Sequence, residues 1–170
     1  IMNKTIKYIF QFVLLILIQV FVLNNINLFG YLNPYVYILF LISYQFNNNL
    51  SETIFLGFLL GISLDLISQS AGAHTIACLT IGFLRPYFAM FSLRLKLSEL
   101  PKNLVSKETR LLNKIGFLFL MVFIHHFILF FIIFLDLKSI FLILKNTFLT
   151  SLFSLIVIWP ILTLLETKND

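Results

Sequence analysis

The sequence predicts an all-α integral membrane protein, a single bundle of six transmembrane helices. Three observations carry that expectation. The 170 residues are 60 % hydrophobic and only 11 % charged, whereas about a quarter of a soluble domain's residues are charged. The mean hydropathy is +1.02, so the solvent for most side chains is lipid. Six apolar runs, at about 6–23, 31–46, 51–69, 73–92, 114–135 and 143–165, fill the chain, and a spanning helix needs roughly 20 apolar residues. Little is left for a second domain, so residues 1–170 are expected to form one polytopic unit.

The first run follows Lys4 and Lys7. Its apolar stretch leads into LNNIN rather than a small-residue cleavage site, so it is expected to stay as an anchor. The second run is the shortest. Pro34 stands near its start, and the stretch from Pro34 to Phe46 alone is too short for a helix to cross, which leaves a re-entrant or interfacial path open. Charge decides for a crossing. The loop over about 93–113 and its edge hold Arg94, Lys96, Lys102, Lys107, Arg110 and Lys114 against Glu99 and Glu108. Lys and Arg favour the cytoplasmic side of short loops. The loop and the N-terminus share a side only if the second run crosses, which puts both termini in the cytoplasm. No aromatic residues interleave with the loop's charges as a nucleic-acid surface would need. The loop reads instead as a topogenic segment near anionic lipid, or as a contact for a cytosolic partner.

The third run holds GFLLGISLDLISQSAGAH, residues 57–74. Gly57, Gly61 and Asp65 recur every four residues and share one helix face, with Ser68 close to it. Glycines four apart allow another backbone to approach closely. That face is therefore expected to pack tightly, inside the bundle or against a partner helix. Asp65 either fixes helix register as a buried, hydrogen-bonded group or meets the partner directly; a proton relay ranks below both. Ionisable groups at membrane depth are candidate sites by default, here Asp65, Arg85, His125 and His126, with His74 at an outer helix end. At 1.5 Å per residue Asp65 lies about 20 Å deep and Arg85 roughly 10 Å from the cytoplasmic edge, too far apart to pair. The pair His125 and His126 comes out about 17 Å deep, so Asp65 matches His126 or His74 better. Arg85 is expected to snorkel, helped by a break at Pro86.

Catalytic chemistry finds no pattern to stand on. There is no HExxH, GxSxG or phosphate loop, and the lone Cys78 forms neither an intrachain disulfide nor a thiolate cluster. Adjacent His125 and His126 point about 100° apart on a helix and do not converge on a metal. No catalytic, cofactor or metal residue is assigned.

The block GxxxGxxxDxxSxxxG, here Gly57, Gly61, Asp65, Ser68 and Gly72, is followed by Ala73-His74 and a run ending in Arg85-Pro86. Together with NNINLFGYLNPYVYILFL, Gln19 in the first span and the six-span plan, it resembles the rod shape-determining membrane protein family MreD, of a Bacteroidetes-like type. The resemblance is most specific over 24–86, and Gln69-Ser70 departs from the Gly-Thr that the family often has. It implies a non-enzymatic scaffold of the bacterial inner membrane that binds an MreC-like bitopic protein. The associated machinery would include the MreB filament, a RodA-type glycosyltransferase and a class B penicillin-binding protein. The implied fold is similar to the substrate-binding subunits of energy-coupling-factor transporters, and a small-molecule-binding subunit is the alternative function.

Overall fold

The computed structural model describes residues 4–26, 32–46 and 49–167, with side chains as far as Leu164. Among these residues the regular structure is helical: α1 Lys4–Phe21, α2 Leu39–Ser43, α3 Leu50–Ser68, α4 Ala73–Leu93, α5 Leu111–Phe134 and α6 Ile140–Thr167. Five of the helices, all but α2, are long and apolar enough to cross a membrane. Their outward faces are apolar: Phe10, Phe91, Leu112 and Phe141 are each at least 60 % exposed. The polar side chains turn inward, with Gln19, Arg85, His125, His126, Thr147, Thr150 and Ser154 all buried. In water that surface would be a large aggregation patch; in lipid it is the solvated side.

The second expected span is not a spanning helix. Of 31–46, only Leu39–Ser43 is helical among the described residues, and Gly30 and Tyr31 lie outside them. Length gives the reason. Fifteen helical residues reach only about 22 Å, short of the roughly 30 Å hydrocarbon layer, so the stretch is too short for a spanning helix. Pro34 lacks an N–H and biases Asn33 away from helix. Irregular backbone survives at membrane depth only when protein satisfies it. Gln19 does so here, donating to the Pro34 carbonyl at 3.1 Å and accepting from the Val36 N–H at 2.8 Å. Ser154 Oγ accepts from the Tyr35 N–H at 2.9 Å.

The segment runs alongside α1. Val36 is held by Gln19, while Ser43 Oγ accepts from Gln11 at 2.7 Å, two turns earlier. Beyond it the Phe46 N–H donates to the Lys102 carbonyl in the basic loop at 2.7 Å. Val36 to Ile42 are at most 2 % exposed, so the segment forms the centre of the core with α1, α3, α4 and α5 around it.

The basic loop is also part of the packing. Leu104 and Val105 are 1 % and 2 % exposed and join the main core, closing one end of the bundle. Lys4, Lys7 and Lys102 line a common cavity of about 280 Å³ at that end. The expected break at Pro86 does not occur: α4 continues through it, as α6 does through Pro160.

Candidate functional site

The glycine face of α3 meets α4 and not the exterior. A Cβ at Gly61 would lie 2.4 Å from Thr75 Cα and 2.7 Å from the His74 carbonyl oxygen, and one at Gly57 2.8 Å from the Cys78 oxygen. From the other side, a Cβ at Gly82 would lie 3.2 Å from the Thr53 oxygen. The two backbones thus run against each other over three turns with no side chain between them. Of the two options left open by the sequence, the tight contact is internal.

Asp65 closes the same hairpin. One carboxylate oxygen accepts from Ser70 Oγ at 2.5 Å and the His74 N–H at 3.0 Å. The other accepts from the Thr75 N–H at 2.8 Å and Thr75 Oγ1 at 2.5 Å. The His74 and Thr75 N–H groups are open donors at the start of α4, where a negative charge also faces the helix dipole. Between the helices, Gln69, Ala71 and Gly72 have φ of 53°, 52° and 89°. For the two non-glycine residues this left-handed backbone costs roughly 1–2 kcal/mol each, which the four carboxylate bonds offset.

Several expected placements change. Gly72 has open space around its Cα, so it serves the turn and not a packed interface. Ser68 is exposed and accepts from Asn24 Nδ2 at 3.5 Å, away from the glycine face. Asp65 takes the backbone of His74, while His126 lies against α6.

The buried histidines organise around residues that the sequence reading did not single out. Tyr37 Oη lies 2.7 Å from His74 Nδ1 and 2.9 Å from His125 Nε2. One hydroxyl proton serves only one of these bonds as donor, so one imidazole must donate to Tyr37. His125 Nδ1 is buried without a partner. The arrangement leaving no buried N–H unpaired puts the His125 proton on Nε2, donating to Tyr37, with Tyr37 donating to His74. His126 takes the opposite tautomer. Its Nδ1 is 2.6 Å from the Val122 carbonyl and must donate; Nε2 then accepts from Ser154 Oγ at 3.4 Å. The rings of His125 and His126 stand at 83° to each other, one facing Tyr37 and the other α6. Among the described residues no three His, Cys, Asp or Glu side chains converge as metal ligands.

Tyr37 was hidden because it sits in an irregular segment with no periodicity. Ser154 belongs to a stripe that was legible: Asn146, Thr147, Thr150, Ser151 and Ser154 follow helical spacing and all are buried.

Arg85 is 1 % exposed. It reaches the open backbone of the irregular segment, donating from a terminal guanidinium nitrogen to the Tyr44 carbonyl, with Cζ 5.9 Å from the Phe46 ring centre. Tyr44 Oη donates in turn to Glu52. Of the loop cations, Lys114 is buried at the start of α5, whereas Arg94, Lys96, Lys102, Lys107 and Arg110 are exposed. Arg94 ends α4 in the left-handed conformation, and the Lys96 N–H donates to Glu99 in the turn that follows. No protein-family model, curated protein or solved structure matches this chain.

Proposed function

We propose that the protein is a non-enzymatic scaffold of the rod-shape, cell-wall elongation machinery that binds the transmembrane helix of an MreC-like bitopic protein. On this reading it sits in the bacterial inner membrane with both termini in the cytoplasm. Counted with the irregular 32–46 segment, the chain crosses six times. Through MreC it would help to organise the MreB filament, a RodA-type glycosyltransferase and a class B penicillin-binding protein around peptidoglycan synthesis.

The observation that carries the reading is the use made of the motif behind the resemblance. Gly57, Gly61 and Asp65 are committed to one closed α3–α4 hairpin, through backbone contact and a carboxylate cap. The motif is architectural, as a scaffold requires. The partner helix then packs elsewhere. Helix α1 is the least buried of the five long helices and offers Ile6, Phe10, Val13 and Leu17 on one apolar stripe.

The test is affinity purification from detergent-solubilised native membranes with a photo-crosslinking residue at Phe10 or Val13. Capture of an MreC-like protein from these positions, and not from Phe91 on α4, supports the scaffold. Recovery of an ATPase module or a vitamin-like molecule instead would favour a transporter subunit, with the energy-coupling-factor likeness as the true guide.

A further inference from the structure

The guanidinium of Arg85 carries five N–H donors in a planar fork. One is used on the Tyr44 carbonyl, Nε–H has no partner, and no carboxylate among the described residues pairs with the group. A cation taken out of water without a counter-charge carries a large desolvation penalty. Beside it lies a cavity of about 120 Å³ walled by Phe46, Thr53, Arg85, Tyr87, Met90 and Leu97. One water needs only about 10–15 Å³, so there is room for a polyatomic group.

Height and rim identify the occupant. Tyr44 is two residues from Phe46, whose N–H is bonded to the basic loop, and Leu97 belongs to that loop. The cavity therefore sits where the helices meet the loop, the level of lipid headgroups. Tyr87 and Leu97 are 49 % and 46 % exposed, so the cavity opens on the lipid-facing side between them. An amphiphile fits: an anionic head against the guanidinium and an apolar body over Met90 and Leu97. Phosphate oxygens match a guanidinium fork with two parallel hydrogen bonds.

We propose that Arg85 and this cavity bind the phosphate of a membrane phospholipid headgroup. The site is independent of the scaffold function and would remain if that reading failed. The exposed loop cations beside it raise the local density of anionic lipid.

The experiment uses the full-length protein, delipidated in mild detergent, and follows thermal unfolding and lipid retention by native mass spectrometry. The probes are phosphatidylglycerol, diacylglycerol with the same chains, and inorganic phosphate. Phosphatidylglycerol should be retained and raise the midpoint, while diacylglycerol should not. Arg85→Gln should weaken retention about tenfold or more, the loss of one charge-assisted pair. If Arg85→Gln does not fold, Leu97→Glu decides: it sets a carboxylate at a half-exposed rim and should weaken retention similarly. Equal stabilisation by diacylglycerol, or retention unchanged in the variants, overturns the site. Equal stabilisation by phosphate alone overturns the lipid as its source.

Discussion

Gly61→Ala adds one methyl group at the tightest point of the α3–α4 contact. The new carbon would stand 2.4 Å from Thr75 Cα, whereas carbon atoms rest at about 3.5–4.0 Å. The obstacle is backbone, so no rotamer relieves it, and the helices must part by roughly 1–1.5 Å. One turn away, Asp65 holds the Thr75 and His74 N–H groups at 2.8 and 3.0 Å. The same parting takes both bonds to about 4 Å, beyond hydrogen-bond range. Overpacking costs about 1–3 kcal/mol and a lost cap about 0.5–2. Against them stands a gain of about 1 kcal/mol from replacing glycine in a helix. The net expectation is a loss of about 2 kcal/mol.

The other glycines supply the scale. The nearest atom to a Cβ is at 2.8 Å for Gly57, 3.2 Å for Gly82 and 3.7 Å for Gly116, the last being a movable Ser92 hydroxyl. Alanine at Gly116 should be neutral or stabilising by up to about 1 kcal/mol. Loss of stability should therefore rise in the order Gly116, Gly82, Gly57, Gly61. Unfolding of each variant by SDS titration in mixed micelles, read by circular dichroism, gives the comparison. A Gly61→Ala protein as stable as Gly116→Ala would refute close backbone packing as the purpose of the motif.

Asp65→Ala removes four hydrogen bonds from the start of α4 and should cost about 2–4 kcal/mol on the same assay, with Asp65→Asn retaining part of the loss. Tyr37→Phe leaves His74 and His125 without their shared partner and should cost about 1–3 kcal/mol. Nitrogen-15 spectra of the histidine rings should find the proton on Nε2 of His125 and on Nδ1 of His126; the reverse assignment would undo the hydrogen-bond directions deduced above. A cysteine at Ser106, introduced after Cys78→Ala, should resist a membrane-impermeant thiol reagent applied from outside the cell, and efficient labelling there would invert the topology.

What could be read in advance was what depends on period and charge. Gly57, Gly61 and Asp65 are four apart, and that spacing alone places them on one face. Lys4, Lys7 and Lys102 were assigned to one side by charge bias and line one cavity. The five long helices follow from apolar runs of sufficient length. The 32–46 segment was not legible as a shape, because hydropathy reports burial and not conformation. Val36 to Ile42 are buried whether the backbone is helical or extended. The expectation that Arg85 snorkels also failed, since the side chain is buried. The reason is a lateral neighbour: the Tyr44 carbonyl, just past the C-terminal end of α2, is open and accepts from the guanidinium.

That irregular segment explains why so apolar a chain keeps so many polar side chains inside. A helix satisfies its own backbone, but irregular chain depends on its neighbours for the groups it does not pair itself. Here residues 36–44 close their own turns and leave the Tyr35 and Val36 N–H groups and the Pro34 and Tyr44 carbonyls to others. Gln19, Ser154 and Arg85 come from α1, α6 and α4, and each bonds a backbone atom of residues 34–44. His74 and His125 then hold Tyr37, whose side chain fixes the same segment at its midpoint. Gln19, Ser154, Arg85, His74 and His125 therefore form a socket for one short strip of chain. Asp65, by contrast, serves the α3–α4 turn alone. A substitution at Gln19 should accordingly loosen the core more than one at Lys102, whose side chain is exposed. Gln19→Leu orphans the Val36 N–H and the Pro34 carbonyl together, at about 1–3 kcal/mol for each.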